Sequence, residues 1–132
     1  MRTVKFRGKD IGTGKWVEGC LLQINNHYEI GWQEASTYET EGGWEQYEVQ
    51  SDTIGQFTGL TDINGNEIYE GDIVQCGEFV YEVGYANRFA SFVLLRKQDM
   101  FAHYFGEAME ANECEVIGNI HDNPELLKGS QE

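Results

Sequence analysis

Hydrophobic and polar residues alternate along much of the chain, which is the pattern of half-buried β-strands. In "HYEIGW" (27–32) and "EFVYEVGY" (78–85) every second side chain is a large apolar or aromatic one. The further strand candidates are Val4–Arg7, Trp16–Gln23, Tyr47–Gln50, Asp72–Cys76, Ala90–Arg96 and Glu115–Ile120. Many short strands joined by tight turns predict a mainly β fold, either a meander or a small barrel.

The turn residues predict how the first strands connect. Gly12–Lys15 supplies glycines that tolerate positive φ, and Asn25–His27 supplies asparagines that do the same. These two links predict an N-terminal meander of three strands. The next segment, Glu34–Glu48, carries five glutamates and a Gly-Gly pair. It is predicted to be either a long loop or a hairpin that turns at Gly42 and Gly43.

Helical signals are few. Asp99–Asn112 has apolar residues at helical spacing but is interrupted by Gly106, so it is either a helix or has an extended first half. "DNPELLKG" predicts one short helical turn, with Asn123 as the N-cap, Pro124 at the first helical position and Gly129 as the stop. The fold class predicted is therefore mainly β with little helix.

Charge is distributed very unevenly. The formal net charge of the 132 residues is −14, and residues 16–87 hold fourteen acidic side chains and no Lys or Arg. Such a surface repels nucleic-acid backbones, so direct nucleic-acid binding is not expected. The first fifteen residues instead carry five cations, on and beside the first predicted strand.

The sequence has no signal-peptide pattern and no apolar run long enough to cross a bilayer, so we expect a cytoplasmic protein with no membrane partner. Its three cysteines, Cys20, Cys76 and Cys114, are odd in number and widely separated. That count favours reduced thiols packed in the core over a disulfide framework or a zinc site.

The stretch "TGLTDINGNEIYEGDIVQ" (58–75) is rich in side chains with oxygen ligands, as calcium-binding loops are. Counted from Asp62, the required Gly at position 6 is Glu67 and the required Glu at position 12 is Ile73. A hairpin explains the stretch better, because Asn64-Gly65 is the sequence of a type I′ turn and Gly71 supplies a second reversal. Asp62 is predicted to accept hydrogen bonds from nearby backbone amides.

Other candidate chemistry is weak. Glu70 and Asp72 form a possible carboxylate pair, but no apolar residues enclose them to raise a pKa. Cys114 and His121 form a possible nucleophile pair, but no signature surrounds them. We therefore predict no catalytic residue, no cofactor and no metal site, and a protein that is not an enzyme.

Three blocks in this order, "VKFRGKD", "TIGQFTGLTDINGNEIYEGDIV" and "EVIGNIHDNPELL", resemble the YopX family of small proteins encoded by bacteriophages and prophages of Gram-positive bacteria. The resemblance implies an N-terminal β meander with an acidic loop (1–57, loop 33–48) and a small SH3-like barrel with a C-terminal helical turn (58–132), together forming one compact unit in the bacterial host cytoplasm. It brings no known activity. Residues 33–46 match no family pattern and are a natural place for partner specificity.

The family signature falls mostly on turn, cap and core residues, which implies structural roles more than functional ones. Its positions here are Arg7, Gly59, Asp62, Asn64, Gly65, Tyr69, Glu70, Gly71, Asp72, Gly118 and Asn119. Arg7 is predicted to pair with Glu70 or Asp72, because a guanidinium supports two-point contacts to a carboxylate.

Two functions follow as hypotheses. The first is a non-enzymatic protein-binding or assembly module, with an unidentified protein partner and self-association into a homo-oligomer through sheet edges and aromatic strands. The alternative is an acidic decoy that mimics nucleic acid and binds a basic host protein. A decoy requires a row of carboxylates along one exposed face, supplied by Glu29, Glu34, Glu39, Glu41, Glu45 and Glu48.

Overall fold

The computed structural model describes residues 3–96, 101–104 and 110–129. The chain divides into two compact units, residues 1–56 and 57–132. Both are built from antiparallel strands, so the prediction of a mainly β fold with little helix is confirmed. Neither sheet closes into a barrel across the described residues, and the SH3-like barrel stays a prediction.

The first unit is an antiparallel sheet with the strand order β4-β3-β2-β1-β5. Its strands are β1 (Phe6–Lys9), β2 (Trp16–Ile24), β3 (His27–Gln33), β4 (Trp44–Val49) and the first two residues of β5 (Gly55–Thr61). The predicted three-stranded meander is confirmed, and β4 extends it by one strand. An isolated bridge between Asp10 and Val49 links the ends of β1 and β4.

Two of the turns in this unit use the residues that the sequence indicated. Gly14 takes a φ of 73° in the link between β1 and β2, and Asn25 takes a φ of 53° in the link between β2 and β3. Both values lie in the left-handed region that glycine and asparagine tolerate best. The sequence therefore specifies these reversals locally.

The core of the first unit centres on Ile30 and Val49, which are buried on one face of the sheet. Gly8 of β1 packs directly against them, since a Cβ at Gly8 would lie 3.1 Å from the Val49 Cβ and 3.3 Å from the Ile30 Cδ1. The missing side chain therefore lets β1 approach the end of β4 closely.

The second unit contains a hairpin and a five-stranded sheet of order β10-β9-β8-β7-β11. The hairpin joins the rest of β5 to β6 (Glu67–Tyr69). The sheet strands are β7 (Asp72–Cys76), β8 (Phe79–Ala86), β9 (Ser91–Arg96), β10 (Phe101–Tyr104) and β11 (Cys114–Asn119), and the helix α1 follows at Glu125–Gly129. The predicted C-terminal helical turn is confirmed. The core of this unit is a buried cluster that includes Ile68, Val74, Tyr81, Val83 and Leu94.

Residues 101–104 form strand β10 rather than the first turn of a helix, because they pair with β9 over Phe101–Arg96 to Tyr104–Val93. The helical interpretation of Asp99–Asn112 is therefore wrong there, and the extended alternative is right. Residues 99–100 and 105–109 of that prediction lie outside the described residues. The sequence also gave no strand prediction for β5, whose "GQFTGLT" is interrupted by two glycines.

The cysteine prediction is wrong on two counts. Cys76 and Cys114 lie opposite each other on β7 and β11, with Cα atoms 4.4 Å apart, and form a buried disulfide. Cys20 is a free thiol but is exposed on β2, not packed in the core. The sequence did not indicate this pair, because the number of cysteines is odd and Cys76 and Cys114 are 38 residues apart. Only the strand register brings the two together.

Candidate functional site

The carboxylate of Asp62 organises the turn at the start of the 58–75 stretch. It is 3% exposed. Its oxygens accept the backbone N–H groups of Asn64 at 2.9 Å, Asn66 at 2.8 Å and Val116 at 2.9 Å. Burial acts to raise the pKa of this carboxyl, but these backbone hydrogen bonds outweigh burial and lower it. Asp62 therefore ties the hairpin turn to β11 as a structural anion.

The Asn64-Gly65 turn differs from the predicted geometry. A hairpin is present, since Thr61 pairs with Glu67, but only Gly65 has positive φ, at 82°. A type I′ turn requires positive φ at both central residues, so that assignment is wrong. The reason is Asp62, whose side chain bonds the Asn64 amide while its carbonyl accepts the Gly65 N–H at 3.0 Å.

Three further signature residues build the second reversal. The Tyr69 N–H donates to Asp72 Oδ2 at 2.7 Å, and Gly71 takes a φ of 94° between them. Asp72 is buried and Glu70 is half-buried.

Burial of the Glu82 carboxyl, and then the negative charge of Glu70, raise the pKa of Glu82. Gly59 also has positive φ, at 87°, on the exposed part of β5.

The last two signature residues, Gly118 and Asn119, end β11 just before the turn that leads to α1. Asn119 Oδ1 accepts the N–H groups of His121 at 3.0 Å and Asp122 at 2.9 Å. A Cβ at Gly118 would lie 2.6 Å from Asn123 Oδ1 and 2.9 Å from Leu126 Cδ1. Gly118 therefore has to be small for this turn and α1 to pack on β11.

Arg7 lies on β1, in the sheet of the first unit. Its guanidinium lies over the ring of Trp16, with Cζ 4.7 Å from the ring centroid, and Lys9 Nζ approaches the same ring at 5.5 Å. These are cation–π contacts between β1 and β2. The pairing of Arg7 with Glu70 or Asp72 stays a prediction.

The described residues contain no group of three His, Cys, Asp or Glu side chains arranged to hold a metal ion. The Cys114/His121 nucleophile hypothesis is wrong, because the Cys114 sulfur is in the disulfide. Within the described ranges no helix has the length and hydrophobicity that spanning a membrane requires.

The most unusual exposed surface belongs to β3, β4 and their connection, residues 27–49, which we call the hairpin arm. On the core face of the sheet, the rings of Trp32 and Tyr47 lie 5.5 Å apart. Trp32 Nε1 donates to Glu34 Oε1 at 2.8 Å, and the Tyr47 hydroxyl donates to Glu45 Oε2 at 3.3 Å. The negative charge of Glu45, followed by this hydrogen bond, raises the pKa of Tyr47. Two aromatic rings are therefore flanked by two carboxylates.

The opposite face of the arm repeats this combination. The Trp44 ring lies on Gly31, where a Cβ would be 2.7 Å from the Trp44 Cε2. From Trp44 a chain of hydrogen bonds runs through Gln46 Oε1 at 2.8 Å to Glu29 Oε1 at 2.9 Å. His27 Nε2 lies 2.6 Å from Glu29 Oε2. The hydrogen bonds from His27 and then Gln46 lower the pKa of Glu29, so this carboxylate stays charged.

The connection between β3 and β4 is an ordered loop. The Glu34 N–H donates to the Gly43 carbonyl at 2.7 Å, and a tighter turn closes where the Thr37 N–H donates to the Thr40 carbonyl at 2.8 Å. The long-loop alternative is therefore right, with its tip at Thr37 and Thr40, and the hairpin turning at Gly42 and Gly43 is wrong. Tyr38 stands at this tip with a fully exposed side chain.

The outer edge of β4 is largely open. In an antiparallel ladder, hydrogen-bonded residue pairs alternate with pairs whose backbone groups point outward. Glu34 and Gly43 are a hydrogen-bonded pair, so the N–H and C=O groups of Trp44 and Gln46 point away from β3. Within the described ranges no backbone partner reaches those four groups. At the far end the Glu48 carbonyl accepts the Ile11 N–H at 2.9 Å, which closes the edge there.

Comparison with known families and structures gives the relationship. The family model described as YopX protein matches residues 5–128. The chain belongs to the YopX family. A similar solved structure is the crystal structure of protein EF1440 from Enterococcus faecalis, with 25% sequence identity and a TM-score of 0.57, covering 96% of this chain and 99% of that one. Comparison with curated proteins finds no match.

The hairpin arm was only partly visible to sequence analysis of this YopX-family chain. Residues 33–46 stood out because they fit no family pattern, and "WEQYE" (44–48) holds two aromatic and two acidic side chains. What the sequence did not show is that Trp32 of β3 and the Glu34 that follows this strand lie beside Tyr47 and Glu45 of β4. That neighbourhood depends on the register of the hairpin.

Proposed function

We propose that this YopX-family protein is a non-enzymatic protein-binding module that contacts its partner through the hairpin arm. The observation that carries the proposal is the exposed aromatic set of the arm. Tyr38 is fully exposed at an ordered tip, and Trp44 and Tyr47 are 50% and 42% exposed on the edge strand. Tyrosine and tryptophan dominate the binding energy of protein interfaces, and their burial against a partner removes apolar area from water.

The charge of the arm indicates the character of the partner. Residues 27–49 contain six glutamates and no Lys or Arg. Complementary charge speeds encounter and excludes partners of the wrong sign. The partner is therefore proposed to be a protein with a basic surface, and both are proposed to act in the cytoplasm of a bacterium that carries the phage or prophage. Self-association into a homo-oligomer is a further proposal, tested by the mass of the protein in solution.

The geometry of β4 favours this module over the nucleic-acid decoy. Glu45 pairs with Trp32 and Glu48 pairs with Glu29, so the two carboxylates of β4 lie on opposite faces of the sheet. A phosphate mimic needs them in one row on one face. Glu29 is, moreover, engaged by His27 and Gln46.

Affinity capture from a host lysate tests the proposal with matched variants. Tyr38→Ser and Tyr47→Ser are expected to lose the specific partner that the wild type captures, because each removes an exposed ring of the arm. Tyr85→Ser is the control, since Tyr85 has the same 42% exposure as Tyr47 and one comparable ring contact, to Phe92 at 5.2 Å.

Quantitative mass spectrometry of the captured proteins decides the result. We expect one or more proteins to be retained by the wild type and Tyr85→Ser and lost from both arm variants. Equal retention by all four proteins, or a loss confined to Tyr85→Ser, would contradict a docking role for the arm.

A further inference from the structure

The open edge of β4 indicates how the arm engages a partner, an inference that rests on the proposed function. The outward N–H and C=O groups of Trp44 and Gln46 repeat at the spacing to which another strand binds. We infer that an extended segment of the partner protein, bearing Arg or Lys, adds to β4 as one further strand.

A second copy of β4 is a poor occupant of this edge. Each β4 carries Glu45 and Glu48 and no cation. Pairing two copies would bring four carboxylates into one two-stranded ribbon in any register, and like charges on neighbouring strands are destabilising. The acidic residues thus protect the edge from self-pairing while leaving it available to a segment of opposite charge.

The side chains beside the open edge fit a cationic residue on the core face of an added strand. There the strand meets Tyr47 and Glu45, so a guanidinium stacks on the ring and pairs with the carboxylate beside it. On the other face the strand meets Trp44 and Gln46, and it ends before Glu48, whose carbonyl accepts the Ile11 N–H. Main-chain hydrogen bonds supply affinity in this mode, and the side chains supply specificity.

Gln46→Pro tests the main-chain hydrogen bonds with little disturbance of the fold. The Gln46 N–H points away from β3, so proline removes an outward donor and no bond of the existing ladder. Gln46→Ala is the matched control, because it loses the same side-chain bonds to Trp44 and Glu29 but keeps the N–H.

The probe is a synthetic peptide of about ten residues, in which Arg alternates with Thr so that the Arg side chains share one face, long enough to cover the open edge at residues 44–46. Binding is followed by tryptophan fluorescence and by the amide signals of Trp44 and Gln46 in NMR spectra. We expect saturable binding to the wild type, about tenfold weaker binding to Gln46→Pro, and a change within about threefold for Gln46→Ala. A peptide with Glu in place of Arg is expected not to bind.

A backbone-methylated form of the Arg–Thr peptide repeats the test on the unaltered protein, in case proline disturbs the arm. It keeps every charge but lacks the N–H groups that the β4 carbonyls accept, so it is expected to bind about tenfold more weakly. Equal binding of the two peptides, or of Gln46→Pro and Gln46→Ala, would mean attraction by charge alone and overturn strand addition, as would no binding of the Arg–Thr peptide. Affinity capture with Tyr38→Ser and Tyr47→Ser does not depend on those outcomes. A failure of strand addition can therefore be told apart from a failure of the proposed function.

Discussion

Reduction of the Cys76–Cys114 disulfide is expected to lower the free energy of unfolding by about 4 kcal/mol, since the bond closes a loop with a sequence separation of 38 residues. The bond joins Cys76 of β7 to Cys114 of β11. Without it, the unfolded chain can adopt many more conformations, and the unfolded state is favoured. Urea unfolding of the oxidised protein with and without a phosphine reductant measures the difference.

A thiol titration in denaturant provides the check on this expectation. Without reductant, one thiol per chain should react, that of Cys20, and reduction should raise the number to the three cysteines of the sequence. Cys20→Ser serves as the control, because it removes the free thiol and should leave the effect of the reductant unchanged. Three reactive thiols before reduction would show that the disulfide does not form.

Replacement of Asp62 by alanine is the second change with a large expected effect. It leaves the amides of Asn64, Asn66 and Val116 without their acceptor, which should cost about 3 kcal/mol. Glu78→Ala, at an exposed position in the turn between β7 and β8, is the control and should change stability by less than about 0.5 kcal/mol. Unfolding by urea at neutral pH compares the two, and equal midpoints would contradict the anchoring role.

The pH dependence of the Asp62 contribution has a definite sign. Because the folded pKa of Asp62 is lowered, its stabilisation is fully present above the ordinary value of 3.8 and is lost as the pH falls below it towards the folded pKa. The difference in free energy of unfolding between the wild type and Asp62→Ala should therefore decrease on acidification. A difference that increases below that pH would show that a charged Asp62 is not the source of the stabilisation.

Local patterns in the sequence predicted the parts of the fold that depend on neighbouring residues. Alternation identified β3 and β8, and turn chemistry identified the reversals at Gly14 and Asn25. Asp62 was recognised as an acceptor for nearby amides, but its bond to Val116 spans 54 residues and has no local signal. The turn at Gly65 departs from the type its sequence favours because Asp62 also accepts the N–H groups of Asn64 and Gly65.

The failures share a cause, which is pairing between strands. The disulfide needed the register of β7 against β11, and β10 needed a partner in β9 to become a strand despite its helical spacing. The candidate site likewise arises only when Trp32 of β3 meets Tyr47 of β4 across the hairpin. A single sequence gives composition and period, but it gives register only where a turn fixes it.

The docking role of the hairpin arm is tested most directly by photo-cross-linking in the host cell. A photoreactive phenylalanine derivative replaces Tyr38, which is fully exposed at the tip of the arm, and in a control chain it replaces Tyr85. The account predicts a discrete cross-linked product from position 38, with a mass set by the partner, and none from position 85. No product from position 38, or equal products from both positions, would contradict it.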